Sequence, residues 1–433
     1  MIQLSHPGNH EQKHFRTIHF IRKSQDDLQY KKGERKEKRM QNFTQYAPTE
    51  IIFGKETECR AGAEVKKWGG TRVFLVYGGG SAVRSGLLKR VETSLEQEGI
   101  SWYEFGGVKP NPRLSFAREG VKKALEEKAD FILAVGGGSA IDTAKAIAHG
   151  VANPEADLWD IWTKKVPLKK STPAGCVLTI SAAGSETSDS AVLTNEELGK
   201  KAGINTDFNR LKFAIMNPEL TYTLPRYQLA CGIVDIMMHT LERYFIPGPS
   251  NEMTDEIAEG LLRTVIRNGR KAMKNQEDYD AMSEIMWCGS LSHNNLTELG
   301  RGKDFSVHKL GHVLGARYDA AHGATLSAVW GAWADYVYEN DLARFQHYGK
   351  AVRGIEEEDT GKAARQAIDR TVDYFRELGM PVNLKELLDT PVTEEDIQAL
   401  AKDATMNGTV KLSRIKELGE EDVRRIFEAA RER

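Results

Sequence analysis

Twice in its first half the chain runs an apolar stretch into Gly-Gly-Gly-Ser and straight on into a helical pattern. TRVFLVY at 71–77 meets Gly78-Gly79-Gly80-Ser81, and DFILAV at 130–135 meets Gly136-Gly137-Gly138-Ser139. Short runs rich in β-branched and aromatic residues form buried strands. SGLLKRVETSLEQEG and AIDTAKAIAHG follow the two blocks as helices, and a helix at 114–128 with strands at 100–105 and 176–180 continues the alternation. Segment 106–112, GGVKPNP, reads as a turn. Strands separated by helices of this length imply a parallel sheet covered on both faces. The reading is a doubly wound, Rossmann-like α/β domain over residues 40–225.

Glycine lets backbone approach a phosphate closely, and a helix start offers free N–H groups and a positive dipole end. Neither block is GxGxxG or GxxxxGK[ST], so neither of those phosphate fingerprints is present. Turns use such glycines too. Two blocks at the carboxyl ends of parallel strands favour a binding site, because ligands gather there. Asp142 and Lys145 lie on the helix that the second block opens; the plain alternative for them is an i,i+3 surface ion pair.

After Thr223-Leu224-Pro225 the pattern changes. LACGIVDIMMHTLERYF, EIAEGLLRTVIRNGRKAMK, AMSEIMWCGSLSHNNL, AIDRTVDYFRELG and EEDIQALAKDA all place apolar residues at helical spacing. An all-α domain over 226–433 follows. Asp235 and His239 share one face of an otherwise apolar helix. Burying that carboxylate without a strong partner costs several kcal/mol, a penalty that a cation would remove. His308, His312 and His322 follow within 15 residues, when seven of the eleven histidines lie beyond residue 39. One carboxylate with imidazoles suits Fe(II) or Zn(II) better than Mg(II) or Ca(II). The alternative is a set of hydrogen-bonded core histidines.

The 433 residues suffice for two cores, and a formal charge of -2 gives no basic excess for nucleic acid. No apolar run approaches the roughly 18 residues of a membrane span. Cys59, Cys176, Cys231 and Cys288 lie far apart and read as buried thiols of a reducing, cytoplasmic compartment. Residues 1–39 lack the apolar core of a secretory signal, and their ERKEKR run cannot bury a core. They read as a disordered extension with the natural start at Met40, since KKGERKEKR back-translates into the purine-rich codons of a ribosome-binding site.

Together, YAPTEIIFGKETE, YGGGSAVRSG, ADFILAVGGGSAIDTAKAIA, TISAAGSETSDSAVLTN, YTLPRYQLACGIVDIMMHTLERYF and HKLGHVLGARYDAAHG resemble the iron-containing (group III) alcohol dehydrogenases, closest to their butanol dehydrogenase branch. The resemblance runs from Met40 to about Gly354 and loosens beyond. It implies the two-domain architecture shared with dehydroquinate synthase, and a homodimer. Asp235, His239, His308 and His322 would hold the catalytic Fe(II), or alternatively Zn(II). His312 would lie by nicotinamide and substrate, with Asp142 a polar residue lining the cleft; these two are the catalytic candidates. Gly136, Gly137, Gly138 and Ser139 match the pyrophosphate loop, and Thr179 and Lys201 match cofactor contacts.

Two departures bear on specificity. Ala183 stands where relatives often carry Thr, so that hydroxyl is missing. Gly78, Gly79, Gly80 and Ser81 stand where NAD-preferring members carry an Asp for the adenosine ribose, which leaves room for a 2′-phosphate and favours NADP(H) over NAD(H). The expected reaction moves hydride between NADP(H) and a primary alcohol or aldehyde such as butanol or butanal. Rival readings are a glycerol dehydrogenase-like, NAD-dependent polyol oxidation and a dehydroquinate synthase-like lyase, which would need several Lys and Arg that 296–322 does not cluster. A metal-binding scaffold without catalysis would have no use for the twin glycine junctions.

Overall fold

The computed structural model describes residues 40–248 and 251–433. The extension 1–39, with the start assigned to Met40, lies outside the described residues. Six strands form one all-parallel sheet: β1 (Glu50–Phe53), β2 (Arg72–Gly78), β3 (Ser101–Val108), β4 (Phe131–Gly136), β5 (Ala174–Leu178) and β8 (Phe213–Met216), in the order β1-β8-β5-β4-β2-β3. Strand residues alternate between two buried faces. Phe74, Val76, Ile132, Ala134 and Cys176 meet Ala144 and Ile147 on one side. Val73, Leu75, Leu133, Val135 and Val177 meet Val65, Val91 and Leu95 on the other. The sheet is doubly wound, as its near-continuous apolar strands require.

From β2 the chain steps outward to β3, then returns to place β4 on the opposite side of β2. The order therefore reverses between β2 and β4, and the carboxyl ends of these strands are where open α/β sheets bind ligands. Both Gly-Gly-Gly-Ser blocks sit at this point.

Sequence patterning missed three features. β3 continues through Gly106 and Gly107 to Val108, so the turn begins later than GGVKPNP suggests. β6 (Ser190–Asn195) and β7 (Lys200–Asn205) form a separate antiparallel hairpin, and β8 is only four residues long. β7, KKAGIN, lacks the apolar run that marks a buried strand, and the four residues of β8 carry too few alternations to stand out from a loop. Among the cysteines, Cys176 and Cys288 are buried, but Cys59 is exposed.

Among the described residues no strand of either sheet lies beyond Met216. The rest is helical, including Arg226–Tyr244, Glu252–Lys274, Tyr279–His293, Ser306–Tyr318, His322–Val337 and Thr360–Glu377. Ile233, Met237, Leu262, Val265, Trp330, Trp333, Phe345 and Phe375 fill their common core. Among the described residues no helix is long and apolar enough to cross a membrane.

Candidate active site

The Arg226–Tyr244 helix has an exposed first turn and is buried almost throughout from Leu229 on, and Asp235 and His239 are each 3 % exposed. His308 lies in the first turn of the Ser306–Tyr318 helix, and His322 opens the next. Gly323 lets that second helix press directly on the Cys231 backbone, where any Cβ would collide. This close approach carries His322 over the Asp235 helix.

Three imidazoles converge on one carboxylate oxygen. The Nε2 atoms of His239, His308 and His322 stand 3.4, 3.5 and 3.7 Å from Asp235 Oδ1. Ligands on a tetrahedral ion with bonds of about 2.1 Å are separated by about 3.4 Å. Donor atoms of Asp235, His239 and His308 all lie within 4.8 Å of one another, a set that His322 approaches through Asp235 but does not complete. Asp235 Oδ1 and His308 Nε2 are buried without a hydrogen-bond partner. Buried polar atoms are rarely left so, and a cation between them would satisfy both. The residues fit a divalent metal ion of the Fe(II) or Zn(II) type.

Electrostatics prepare most of the set. Burial, reinforced by His293 and His308, pushes His239 well below its usual range. Burial also lowers His322 to about 3, against the pull of Asp235. Asp235 is held below the ordinary carboxylate range: burial opposes this, but His322 and His308 outweigh it. His308 differs, because Glu242 and Asp235 overcome burial and raise it to about 9. An incoming cation would displace that proton.

Glu242 escaped the sequence reading. Its carboxylate accepts from the backbone N–H groups of Val307 (2.5 Å) and His308 (3.1 Å) and from His308 Nδ1. It therefore fixes which nitrogen of His308 faces Asp235. The signal was available, since Asp235, His239 and Glu242 follow one another at i, i+4 and i+7. Arg243 and His293 were also missed. Arg243 donates to the His239 carbonyl and to Glu298, 3.0 Å away. The ring of His293 lies on that of His239.

The remaining sequence candidates gather near the same cleft. The ring of His312 is 5.4 Å from that of His322, and burial, aided by Lys201, holds it well below the usual imidazole range. Lys201 lies in β7 and donates to Asn111 Oδ1 at 3.1 Å; burial lowers it to about 8 against Asp142, Asp235 and Asp319. Thr179 follows β5 and donates its N–H to Gly136 O, beside the glycine loop. Gly137 and Gly138 open the Gly138–Ala152 helix, with Ser139 in its first turn.

Asp142 and Lys145 correct the surface ion-pair alternative: they form no ion pair with each other. Ser185 Oγ (2.5 Å) and Val192 N (2.9 Å) donate to Asp142. Lys145 Nζ, 1 % exposed by residue, donates to the carbonyls of Ser185 and Ser190 at 2.7 and 2.8 Å. Both side chains brace the segment behind the glycine loop.

The family model described as iron-containing alcohol dehydrogenase matches residues 48–218, and that of the C-terminal part of the Fe-containing alcohol dehydrogenase family matches 229–431. The match thus extends well past Gly354, where the sequence resemblance loosens. NADH-dependent butanol dehydrogenase A of Clostridium acetobutylicum is 39% identical over 390 residues, covering 90% of this chain and 99% of its own. NADPH-dependent aldehyde reductase YqhD of Escherichia coli is 36% identical over 394 residues, covering 90% and 100%. The crystal structure of NADH-dependent butanol dehydrogenase A from Thermotoga maritima superposes with a TM-score of 0.86 at 38% identity, covering 90% of this chain and 99% of the other.

Proposed function

We propose, for a chain that belongs to the iron-containing alcohol dehydrogenase family, that it moves hydride between NADP(H) and a primary alcohol or aldehyde such as butanol or butanal. One observation carries this reading: the Nε2 atoms of three histidines stand 3.4 to 3.7 Å from the unpartnered Asp235 Oδ1. Asp235, His239, His308 and His322 would hold the Fe(II) or Zn(II). Bound there, the ion supplies Lewis acidity toward the substrate oxygen.

The chain's own residues do the rest. The 136–139 loop and the helix start behind it receive the pyrophosphate, with Thr179 and Lys201 beside them. His312, kept neutral, offers a ring nitrogen that accepts the proton leaving the alcohol hydroxyl and returns it to the aldehyde oxygen in reverse. The cleft holds alcohol carbon and nicotinamide at reacting distance and excludes water. Residues 40–225 would then act as the dinucleotide domain and 226–433 as the metal domain.

NADP(H) is favoured by the first glycine block. It carries no carboxylate, and a Cβ built on Gly80 would lie 2.5 Å from an Arg84 guanidinium nitrogen. A cation at that position suits a 2′-phosphate. The relatives' names include both cofactors, so the decisive test is direct. After anaerobic reconstitution with Fe(II) or Zn(II), NADPH should be consumed with butanal faster than NADH, and Gly80→Asp should reverse the order. Turnover of glycerol with NAD and none of butanal would replace this reading with polyol oxidation.

A further inference from the structure

His293 belongs neither to the four-residue ligand set nor to the glycine loops, yet it touches His239 directly and approaches the 136–139 loop through Ala183. It ends the Tyr279–His293 helix and is 5 % exposed. Its ring lies over that of His239, with centroids 3.9 Å apart and planes 30° apart. Its Nδ1 donates to the carbonyl of Ala183 at 2.8 Å, while its Nε2 is buried without a partner. Ala183 faces the cofactor side: a Cβ on Gly138 would stand 3.4 Å from Ala183 Cβ. Gly184, at φ +63, is pinned to the same helix, since a Cβ there would meet Gly289 O at 2.7 Å and His293 Cβ at 2.8 Å. The segment therefore cannot shift without moving the end of that helix.

We infer that His293 is a positioning residue that couples dinucleotide binding at the 136–139 loop to metal affinity at Asp235, His239, His308 and His322. The inference rests on the dinucleotide reading above. A ligand on the loop fixes Ala183, the Ala183 carbonyl fixes His293, and the stacked ring fixes His239 in its ligating orientation. Such coupling is reciprocal, and its usual range is about 5–150-fold in affinity.

Zn(II) affinity of the metal-stripped protein, read by chelator competition with and without saturating NADPH, tests this. NADPH binding is followed separately by its fluorescence. NADPH should tighten Zn(II) at least about fivefold in the parent. His293→Phe keeps a ring over His239 but loses the donor, and His293→Asn keeps a donor but loses the ring. Each should bind NADPH and Zn(II) singly and lose the coupling factor; should one fail to fold, the other decides. A parent that binds NADPH without changing Zn(II) affinity, or a variant that keeps the parent's factor, overturns the inference alone. A parent that binds NADH and not NADPH overturns the NADP preference and is tested with NADH in its place; one that binds neither overturns the dinucleotide reading and this inference with it.

Discussion

Two helices carry a polar triplet into an apolar interior, and the two triplets end differently. The Gly138–Ala152 helix presents Asp142, Lys145 and His149, and the Arg226–Tyr244 helix presents Asp235, His239 and Glu242. In the first, the protein satisfies the set itself. Asp142 accepts two hydrogen bonds, Lys145 donates to three oxygens, and the ring nitrogens of His149 meet Ser171 Oγ and Asn209 Oδ1, each at 2.8 Å. In the second, Glu242 finds its donors and His239 Nδ1 meets Arg243 at 3.5 Å, while Asp235 Oδ1 and its neighbour His308 Nε2 are left over. Burial of polar groups is thus common to both helices and marks neither as a site. Unmet demand among buried atoms, with donors converging on one point, is what separates them.

The strongest way to break this contrast is His308→Ala. Activity should fall to background and bound metal should be lost, with the circular dichroism spectrum unchanged. An active, metal-free variant would put both polar triplets in the structural class.

Acid should expose the other helix. Burial, with Lys145 adding to it and the Asn209 bond opposing, lowers His149 to about 4. The unfolded chain binds this proton near pH 6.5, above the folded value, so the contribution is complete above about 6.5 and lost as pH falls toward 4. It amounts to about 3 kcal/mol. Urea titrations from pH 7 to 4.5 should show a shallower pH dependence for His149→Gln than for the parent. Parallel curves would remove His149 from the account.

Glu242→Gln sharpens the division inside the second helix. It should weaken metal affinity or activity about 10–100-fold, because His308 loses the partner that orients it. Chelator competition with unchanged metal retention would leave Glu242 a structural partner of Val307 and His308 with no part in the metal site. The smallest effect belongs to Ser171→Ala, which should cost about 1 kcal/mol of stability through His149 Nδ1 and leave kcat unchanged.

Much of this was legible in the residues. Apolar runs of strand length ending in Gly-Gly-Gly-Ser imposed parallel strands and a crevice, because no other pairing accommodates the intervening helices. Helical periodicity beyond Pro225 marked the change of architecture, and Asp235 with His239 on one apolar face marked a carboxylate in need of a partner. The hairpin β6–β7 and strand β8 were hidden, since KKAGIN carries two lysines and a glycine in place of an apolar run and FAIM is only four residues long.

What the sequence determined by itself was local: period, turn chemistry and the residues sharing a helix face. Which buried groups find partners was decided only in three dimensions. Asp142 met Ser185 and Val192 across 43 and 50 residues, whereas Asp235 met three imidazoles and no hydrogen-bond donor for Oδ1. The reason is physical: satisfaction of a buried polar atom depends on distances between segments far apart in the chain, and no local pattern encodes those distances.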